Sequence, residues 1–259
     1  MADEMVCAET SLLAAEPVAR ATLRLVLDAP ALVAAARPGQ FVMLGPLEPE
    51  RLDPFLNRPL SIHRAGPAGR LELLVAQVGR GTRAMGGWRP GRPVRLLGPL
   101  GRGFDPPAGP GPLLLVGGGI GVAPLLFLAE RRLAAGADCR LLYGAADAGA
   151  LVPLDPGCPV ELATDDGSRG HPGPVTELLA PRLQAAGPRP AAVCACGPRP
   201  MLAAVAGLCA AAGVPAQVSL ENRMACGTGA CMGCTLEVAG RPQRVCAEGP
   251  VFDAAEVFE

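Results

Sequence analysis

Four cysteines near the carboxyl end of the chain have the spacing of an iron–sulfur ligand set. They follow the pattern C-x4-C-x2-C-x11-C, at Cys226, Cys231, Cys234 and Cys246. The first three match the loop spacing of plant-type two-iron clusters, in which four thiolates hold two irons. The glycines at 227, 229 and 233 suit a tight loop whose backbone wraps a cluster and donates N–H groups to the sulfurs. The pattern therefore predicts a 2Fe-2S cluster with these four ligands.

Two other uses of these cysteines stay open at this point. A four-cysteine zinc site is one, although zinc sites favour two C-x2-C pairs and this segment has a single pair at that spacing. Disulfides are the other, although clustered cysteines in a cytosolic protein are more often metal ligands. The other six of the ten cysteines are scattered, and we interpret most of them as small core residues.

Two further segments have the composition of nucleotide-binding turns. An apolar run at 113–116 leads into Gly117, Gly118, Gly119, Gly121 and Pro124. In such a strand-to-helix turn the amides at the helix start face a phosphate, although glycine-rich turns also occur without a ligand. The second segment ends another apolar strand, where α/β proteins bind ligands, and consists of Cys196, Gly197 and Pro198. By itself it is equally consistent with a buried cysteine and a simple turn.

The elements that must position these residues fall into three stretches. Up to residue 104, short β-type runs separated by Pro and Gly predict a small antiparallel barrel or sandwich. From residue 113, strands alternate with helices, which predicts a parallel α/β sheet. The predicted strands are 113–116, 140–143, 160–164, 192–195 and 216–220, and the predicted helices are 123–135, 175–186 and 200–212. The last 39 residues are too few for an ordinary core, so we expect a metal or cluster to hold them together.

Composition and charge limit the classes of protein that this chain can be. Its 259 residues suggest about two domains with a small third, which we place at 1–106, 107–218 and 219–259 because 105–112 is rich in Pro and Gly. A hydrophobic content of 50% excludes a disordered chain. The net charge of −1 provides no field toward nucleic acid or an anionic membrane, and no uninterrupted apolar run reaches about 18–20 residues. The acidic N-terminus predicts no secretory signal, so we expect a cytoplasmic protein.

Taken together and in this order, these segments resemble the ferredoxin–NADP reductase superfamily and, within it, the electron-transfer subunits of dihydroorotate dehydrogenase B. The resemblance covers nearly the whole chain. It includes Arg58-Pro-Leu-Ser61, Val78-Gly-Arg-Gly-Thr82, Leu97-Gly-Pro-Leu-Gly-Arg-Gly-Phe104 and the two turns described above. Its most specific stretch runs from 221 to 234 and continues at 245–252. The family implies an N-terminal antiparallel flavin-binding β-barrel, a central parallel α/β nicotinamide-binding domain and a small C-terminal iron–sulfur domain.

The resemblance implies a set of FAD contacts in the barrel. Arg58 would pair with an FAD phosphate, which suits its guanidinium fork, and Ser61 would hydrogen-bond near the flavin N5. Gly81 and Thr82 would bind the pyrophosphate, and residues 74–76 would line the flavin or the adenine. The full predicted set is Arg58, Pro59, Leu60, Ser61, Leu74, Val75, Ala76, Gly81 and Thr82.

The chain departs from the family pattern at three of these positions. Val75 and Ala76 stand where relatives carry Tyr and Arg, and Leu60 stands where broader members of the superfamily have an aromatic residue that stacks on the flavin. Because only 3% of the residues are aromatic, the chain offers few stacking partners of any kind.

The resemblance also implies a nicotinamide site on the α/β domain. The predicted NAD-binding residues are Gly117, Gly118, Gly119, Gly121, Pro124, Asp147, Cys196, Gly197 and Pro198. Asp147 follows the second strand of this domain, where a carboxylate can meet a ribose hydroxyl and repel a 2′-phosphate. We therefore expect NAD rather than NADP. Asp165 and Asp166, after the next strand, either line this site as well or form a solvated turn.

The family implies an electron relay in pyrimidine (UMP) biosynthesis. A separate FMN-containing catalytic subunit oxidises dihydroorotate, and this chain passes the electrons through its cluster and FAD to NAD⁺, in an assembly with two copies of each subunit. No side chain is assigned an acid–base role, and His63 and His171 are interpreted as surface or turn residues.

One alternative is a reductase component for another redox partner, although such proteins usually have a longer gap before the fourth cysteine. A non-catalytic iron–sulfur redox sensor is the other alternative, and it would need neither the flavin motif nor the glycine turn.

Overall fold

The computed structural model describes residues 5–45, 55–107, 109, 111–184 and 188–258. The first part of the chain closes into an antiparallel barrel. Its strands are β1 (Val6–Ala19), β2 (Thr22–Asp28), β3 (Phe41–Leu44), β4 (Arg58–Ala65), β5 (Arg70–Ala76) and β6 (Pro93–Leu100), with the short helices α1 (Pro30–Ala35) and α2 (Arg80–Ala84) between them. The order around the barrel is β1-β2-β5-β4-β3-β6, and β6 pairs again with β1. Closure removes the sheet edges and decides between the predicted barrel and sandwich in favour of the barrel.

Side chains that alternate along the strands fill the barrel. Leu23, Leu25 and Leu27 of β2 all point into this core, as the two-residue period of a strand requires. The β-type run at 18–28 is divided between β1 and β2 by a turn at Ala21, whose φ is +52°. Most of β1, from 6 to 17, lies outside the predicted runs, because Leu12 is the single fully buried residue of that strand and no apolar alternation marks it.

The second part of the chain forms a seven-stranded sheet with helices and a separate hairpin. Its elements are β7 (Leu113–Gly118), α3 (Val122–Ala134), β8 (Cys139–Ala145), β9 (Val160–Thr164), β10 (His171–Pro172), α4 (Thr176–Gln184), β11 (Ala192–Cys196), α5 (Arg199–Ala212), β12 (Ala216–Ser219), β13 (Thr235–Val238), β14 (Arg241–Arg244), β15 (Val251–Asp253) and α6 (Ala254–Val257). The sheet order is β10-β9-β8-β7-β11-β12-β15, and every neighbouring pair is parallel except β12 and β15. The predicted α/β alternation is confirmed, and within the described residues no helix is long and apolar enough to cross a membrane.

The cysteine-rich end of the chain is built onto both of the other regions. β15 extends the edge of the parallel sheet, and β13 and β14 form a hairpin beside it. Cys234, Cys246 and Phe252 share one hydrophobic cluster with Phe41 and Met43 of the barrel. The division at 1–106, 107–218 and 219–259 stays a prediction, and β12 crosses its second boundary.

The barrel packs on α3 through a buried histidine. The Nδ1 atom of His63 lies 3.3 Å from the carbonyl oxygen of Ala123, and His63 is only 4% exposed. Burial, together with the nearby charge of Arg64, lowers the pKa of His63 to about 4. The interpretation of His63 as a surface or turn residue is therefore wrong, because β4 brings it against the helix. An ion pair of 2.7 Å between Arg64 of β4 and Glu130 of α3 joins the two elements at the same interface.

Candidate functional site

An open cleft lies where the barrel, the parallel sheet and the cysteine-rich segment meet. Its cavity volume is about 220 Å³. The barrel contributes Phe41, Pro59, Leu60, Ser61, Leu74, Ala76, Val78 and Thr82. The other two regions contribute Ile120, Ala123, Ser219, Leu220, Glu221, Asn222, Met224 and Pro250. A mostly apolar wall with a few polar groups is the usual composition of a cofactor site.

Most of the predicted FAD residues line this cleft. They are Pro59, Leu60, Ser61, Leu74, Ala76 and Thr82. The side chain of Val75 does not, because successive residues of β5 point to opposite faces of the strand. Val75 is fully buried in the barrel core instead, so the expected side-chain contact at this position is corrected.

The remaining two predicted FAD residues, Arg58 and Gly81, meet beside α2. A Cβ atom on Gly81 would lie 2.5 Å from Nε of Arg58, so the guanidinium crosses the helix backbone where a side chain would obstruct it. The hydroxyl of Thr82 accepts a hydrogen bond from the N–H of Gly79 at 3.1 Å. The guanidinium of Arg58 therefore lies close to the apolar cleft as a fixed positive charge. The arrangement fits a ligand that has a flat apolar ring system and phosphates.

The two predicted nicotinamide turns touch each other at the carboxyl ends of β7 and β11. Gly117 pairs with Cys196 in the sheet. A Cβ on Gly121 would collide with the Cys196 carbonyl, and one on Gly118 would lie 2.6 Å from Sδ of Met201. Ile120 and Ala123 of the first turn also line the cleft. Glycine is therefore required here for the close approach of two backbones.

Two predicted NAD residues have structural roles of their own. The Cys196 thiol is almost completely buried, and burial raises its pKa to about 12. Oδ1 of Asp147 accepts hydrogen bonds from the N–H groups of Gly149 and Ala150, at 2.9 and 3.1 Å. Oδ2 of Asp147 forms an ion pair with Arg20, from the turn between β1 and β2. A ribose hydroxyl would have to compete with these partners for the carboxylate.

Three of the predicted cluster ligands lie in the loop 226–234, and the hairpin of β13 and β14 brings Cys246 back to it. Amides of this segment point at the sulfurs of Cys226, Cys234 and Cys246. Sγ of Cys226 accepts N–H groups from Thr228 and Cys231, both at 3.4 Å. Sγ of Cys246 accepts the N–H of Gly229 at 3.1 Å. Burial would raise the pKa of the Cys226 thiol, but the N–H donors of Cys231 and Thr228 outweigh it and bring the pKa to about 6. Cys226 therefore favours the thiolate, which is the form that binds iron. Burial and the neighbouring Cys234 thiol instead raise the pKa of Cys246 to about 12.

Backbone hydrogen bonds link the four cysteines in two pairs. The N–H of Cys231 donates to Sγ of Cys226, and the N–H of Cys246 donates to Sγ of Cys234, both at 3.4 Å. A two-iron cluster takes two thiolates on each iron, so four thiols in two linked pairs fit this group.

An arginine that the sequence analysis did not single out holds this loop. Nη1 of Arg244 donates to the carbonyl oxygen of Gly229 at 3.0 Å. Its Nε donates to Glu248 at 3.0 Å, and that hydrogen bond lowers the pKa of Glu248 to about 2. Arg244 lies on β14 next to a ligand of the loop, and only the folded hairpin brings it to Gly229.

Glu221 is a second site residue to which the sequence analysis gave no role. It lies at the rim of the cleft, where desolvation raises the pKa of its carboxyl group. Glu221 is the first residue of the stretch that resembles the family most specifically, and this position is the sequence signal that could have identified it as a site residue. The same segment carries Met224 on the cleft wall and reaches Cys226 two residues later.

Comparison with known proteins agrees with this geometry. Residues 221–258 match the profile described as the iron–sulfur cluster binding domain of dihydroorotate dehydrogenase B. A solved structure of an NADH-dependent reduced ferredoxin–NADP oxidoreductase superposes with a TM-score of 0.85 at 28% identity, covering 96% of this chain and 90% of that one.

Two relatives cover almost the entire chain. The dihydroorotate dehydrogenase B (NAD(+)) electron transfer subunit of Desulforamulus reducens is 38% identical, over 96% of this chain and 97% of its own length. The subunit of the same name from Geobacillus thermodenitrificans is also 38% identical, over 93% of this chain and 94% of its own length. The chain therefore belongs to the family of electron transfer subunits of dihydroorotate dehydrogenase B.

Proposed function

We propose that this chain passes electrons from the FMN of a dihydroorotate dehydrogenase catalytic subunit to NAD⁺ in pyrimidine biosynthesis, in the cytoplasm. The observation that carries the proposal is the shared cleft, to which the flavin motif, a nicotinamide turn and the cluster segment contribute Ser61, Ile120 and Met224. When bound, FAD supplies hydride transfer to NAD⁺ and the 2Fe-2S cluster supplies single-electron transfer. The residues of the chain bind and orient these groups.

The barrel side of the cleft would hold FAD. Leu74, Ala76 and Leu60 supply an apolar wall for the ring system, and Ser61 supplies a hydroxyl beside it. The Arg58 guanidinium would pair with a phosphate, with Gly81 leaving room for it. Because aliphatic side chains replace the aromatic residues that commonly stack on flavins, shape and burial provide the contact here.

The turns at 117–124 and 196–198 would hold the nicotinamide dinucleotide. Most of their glycines let the two turns pack closely at the carboxyl ends of two parallel strands, and Gly119 leaves open space beside its backbone for a ligand. Asp147 places a negative charge after the next strand, which disfavours a 2′-phosphate and supports a preference for NAD over NADP.

The outer face of the cluster loop would contact the catalytic subunit. Cys231 is exposed and Met232 is 53% exposed, whereas Cys234 and Cys246 are buried. On its inner side the loop packs on the barrel, since a Cβ on Gly227 would lie 2.9 Å from Sδ of Met43. The loop thus packs on the barrel on one side and would face a partner on the other. We propose two copies of each subunit in the assembly.

An anaerobic assay of the complex tests this function. The tagged chain is isolated from its own host with its bound partner, mixed with dihydroorotate and NAD⁺, and followed by NADH absorbance. We expect NADH to form with the wild-type chain and not with a Cys231→Ser chain reconstituted in the same complex. A flavoprotein partner that yields no NADH would contradict the substrate and favour a reductase for another acceptor. A chain that carries a cluster but releases no flavin would favour the redox sensor.

A further inference from the structure

Two cysteines outside the sites described above lie side by side in the parallel sheet. Cys139 begins β8, and Cys158 lies two residues before β9. Leu141 pairs with Val160, and the N–H of Leu141 donates to the Pro159 carbonyl at 3.0 Å. Cys158 lies in the bend that leads into β9, two residues before Val160, and Cys139 lies two residues before Leu141. Paired strands are about 4.8 Å apart, and a disulfide spans a Cα separation of about 4.4–6.8 Å.

The side chains of this pair pack together. Cys139 belongs to one hydrophobic cluster of the α/β region, and Cys158 packs against that cluster. Cys139 is 5% exposed, whereas Cys158 is partly exposed, so solvent reaches the pair from the Cys158 side. The hydrogen bond from Cys139 lowers the pKa of Cys158 to about 7 against the effect of burial, and N–H groups of Leu141 and Cys158 add to it. The same hydrogen bond and burial raise the pKa of Cys139.

The other cysteines of the α/β region differ from this pair. Cys196 and Cys209 are buried, and burial raises their pKa values to about 12 and about 11. Cys194 is also fully buried, and burial raises its pKa. Protonated and buried thiols react slowly with oxidants. Cys158 is the thiol of this group that combines partial exposure with a thiol neighbour.

We propose that Cys139 and Cys158 are a reversible oxidation site that takes a low-molecular-weight disulfide as its oxidant. The Cys158 thiolate attacks one sulfur of that disulfide; a mixed disulfide forms, the S–S bond of the oxidant breaks, and a small thiolate leaves and takes up a proton. Cys139 then loses its proton and attacks Sγ of Cys158. The protein disulfide forms, the mixed disulfide breaks, and a second small thiol leaves. Two protein thiols are oxidised and one small disulfide is reduced to two thiols.

The disulfide would close a loop of the nicotinamide region without touching the cleft. The loop runs from 139 to 158 and includes Asp147 and its capped turn. Cys139 is the first residue of β8, and Cys158 precedes the amino end of β9, so both lie opposite to the strand ends that carry the glycine turns. We therefore expect oxidation to make the 139–158 segment more resistant to proteolysis while flavin and cluster absorbance stay unchanged.

The test uses the holo chain in anaerobic glutathione buffers of increasing oxidised fraction, followed by alkylation, digestion and mass spectrometry. We expect a peptide pair linked through Cys139 and Cys158 that disappears when excess reduced glutathione is restored. Cys139→Ser should stop at the mixed disulfide, with one glutathione on Cys158. Cys7→Ser, which removes an exposed cysteine of β1, should leave the linked pair unchanged.

Several outcomes would overturn the proposal. One is the absence of the linked pair in fully oxidised glutathione, and another is equal linkage of Cys139 or Cys158 to other cysteines. A measurement on the unmutated chain covers the case in which Cys139→Ser does not fold. Brief alkylation of the reduced wild-type protein should label Cys158 at least about tenfold faster than Cys139 and Cys209, and equal rates would contradict the assigned order of attack.

Discussion

The proposed cluster loop and the proposed flavin cleft would hold their groups in different ways. The loop takes all four thiolates from residues 226–246 and most of its N–H donors from the same segment. The cleft takes its walls from the barrel, from the first turn of the parallel sheet and from the start of the cysteine-rich segment. A local site should fail when one ligand is lost. A composite site should weaken by degrees, and it should depend on how its regions pack.

Loss of one cluster ligand gives the largest expected effect. Cys231→Ser removes one of two thiolates on one iron, so we expect loss of the cluster while FAD is retained. Iron content and the visible spectrum measure the two groups separately. Cys209→Ser, a buried cysteine of α5 outside the loop, is the matched control. A full complement of iron in Cys231→Ser would show that the loop is not the ligand set.

Lower pH should destabilise the packing between β4 of the barrel and α3, which supports the cleft. His63 has a pKa of about 4 in the folded chain and about 6.5 when unfolded. Below about pH 6.5 His63 binds a proton in the unfolded chain, but in the folded chain it stays neutral down to about pH 4. The free energy of unfolding therefore decreases as the pH is lowered from about 6.5 to about 4. The loss is roughly 3 kcal/mol at most.

Denaturant unfolding at several pH values checks this expectation. His63→Gln removes the titrating group, so its unfolding free energy should fall less steeply between about pH 6.5 and pH 4 than that of the wild type. Identical slopes for wild type and His63→Gln would argue against a neutral buried histidine at this interface.

Loss of one phosphate contact should weaken the cleft only in part. Arg58→Ala removes the proposed charge-assisted contact, which is worth on the order of 1.5–3 kcal/mol in FAD affinity. The dissociation constant for FAD, from flavin fluorescence on dialysis, should rise by about 10- to 150-fold with cluster content unchanged. Arg70→Ala, at an exposed arginine of β5, should leave flavin affinity as it is. Unaltered retention in Arg58→Ala would remove this residue from the FAD site.

The smallest effect is expected at the edge of the nicotinamide site. Asp147→Asn removes a partly exposed charge, and such charges contribute about 0.2–1 kcal/mol. The preference for NADH over NADPH, measured as the ratio of kcat/KM values, should fall by about two- to fivefold. An unchanged ratio would mean that the carboxylate acts only on Arg20 and on its own turn.

The same contrast explains what the sequence could and could not predict. The four cysteines and the two glycine turns were found from local spacing. The structure brings the cysteines together and the two turns into contact, and their roles as ligand-holding residues stay predictions. Val75 was misplaced because a strand pattern does not reveal which alternate side chains face the ligand. Arg244 has no local signal, since only the folded hairpin brings it to Gly229. The sequence near His63 does not reveal that α3 packs against β4 and buries this histidine.

Anaerobic reduction of the isolated holo chain by NADH tests most directly whether the cleft and the loop form one electron path. Flavin and cluster absorbance are followed together in wild type and in Cys231→Ser. The shared cleft predicts that NADH bleaches both the flavin and the cluster bands of the wild type, and the flavin band alone in the variant. A wild-type flavin that is fully reduced beside a cluster that stays oxidised would contradict the central claim, because the two sites would then not be connected within this chain.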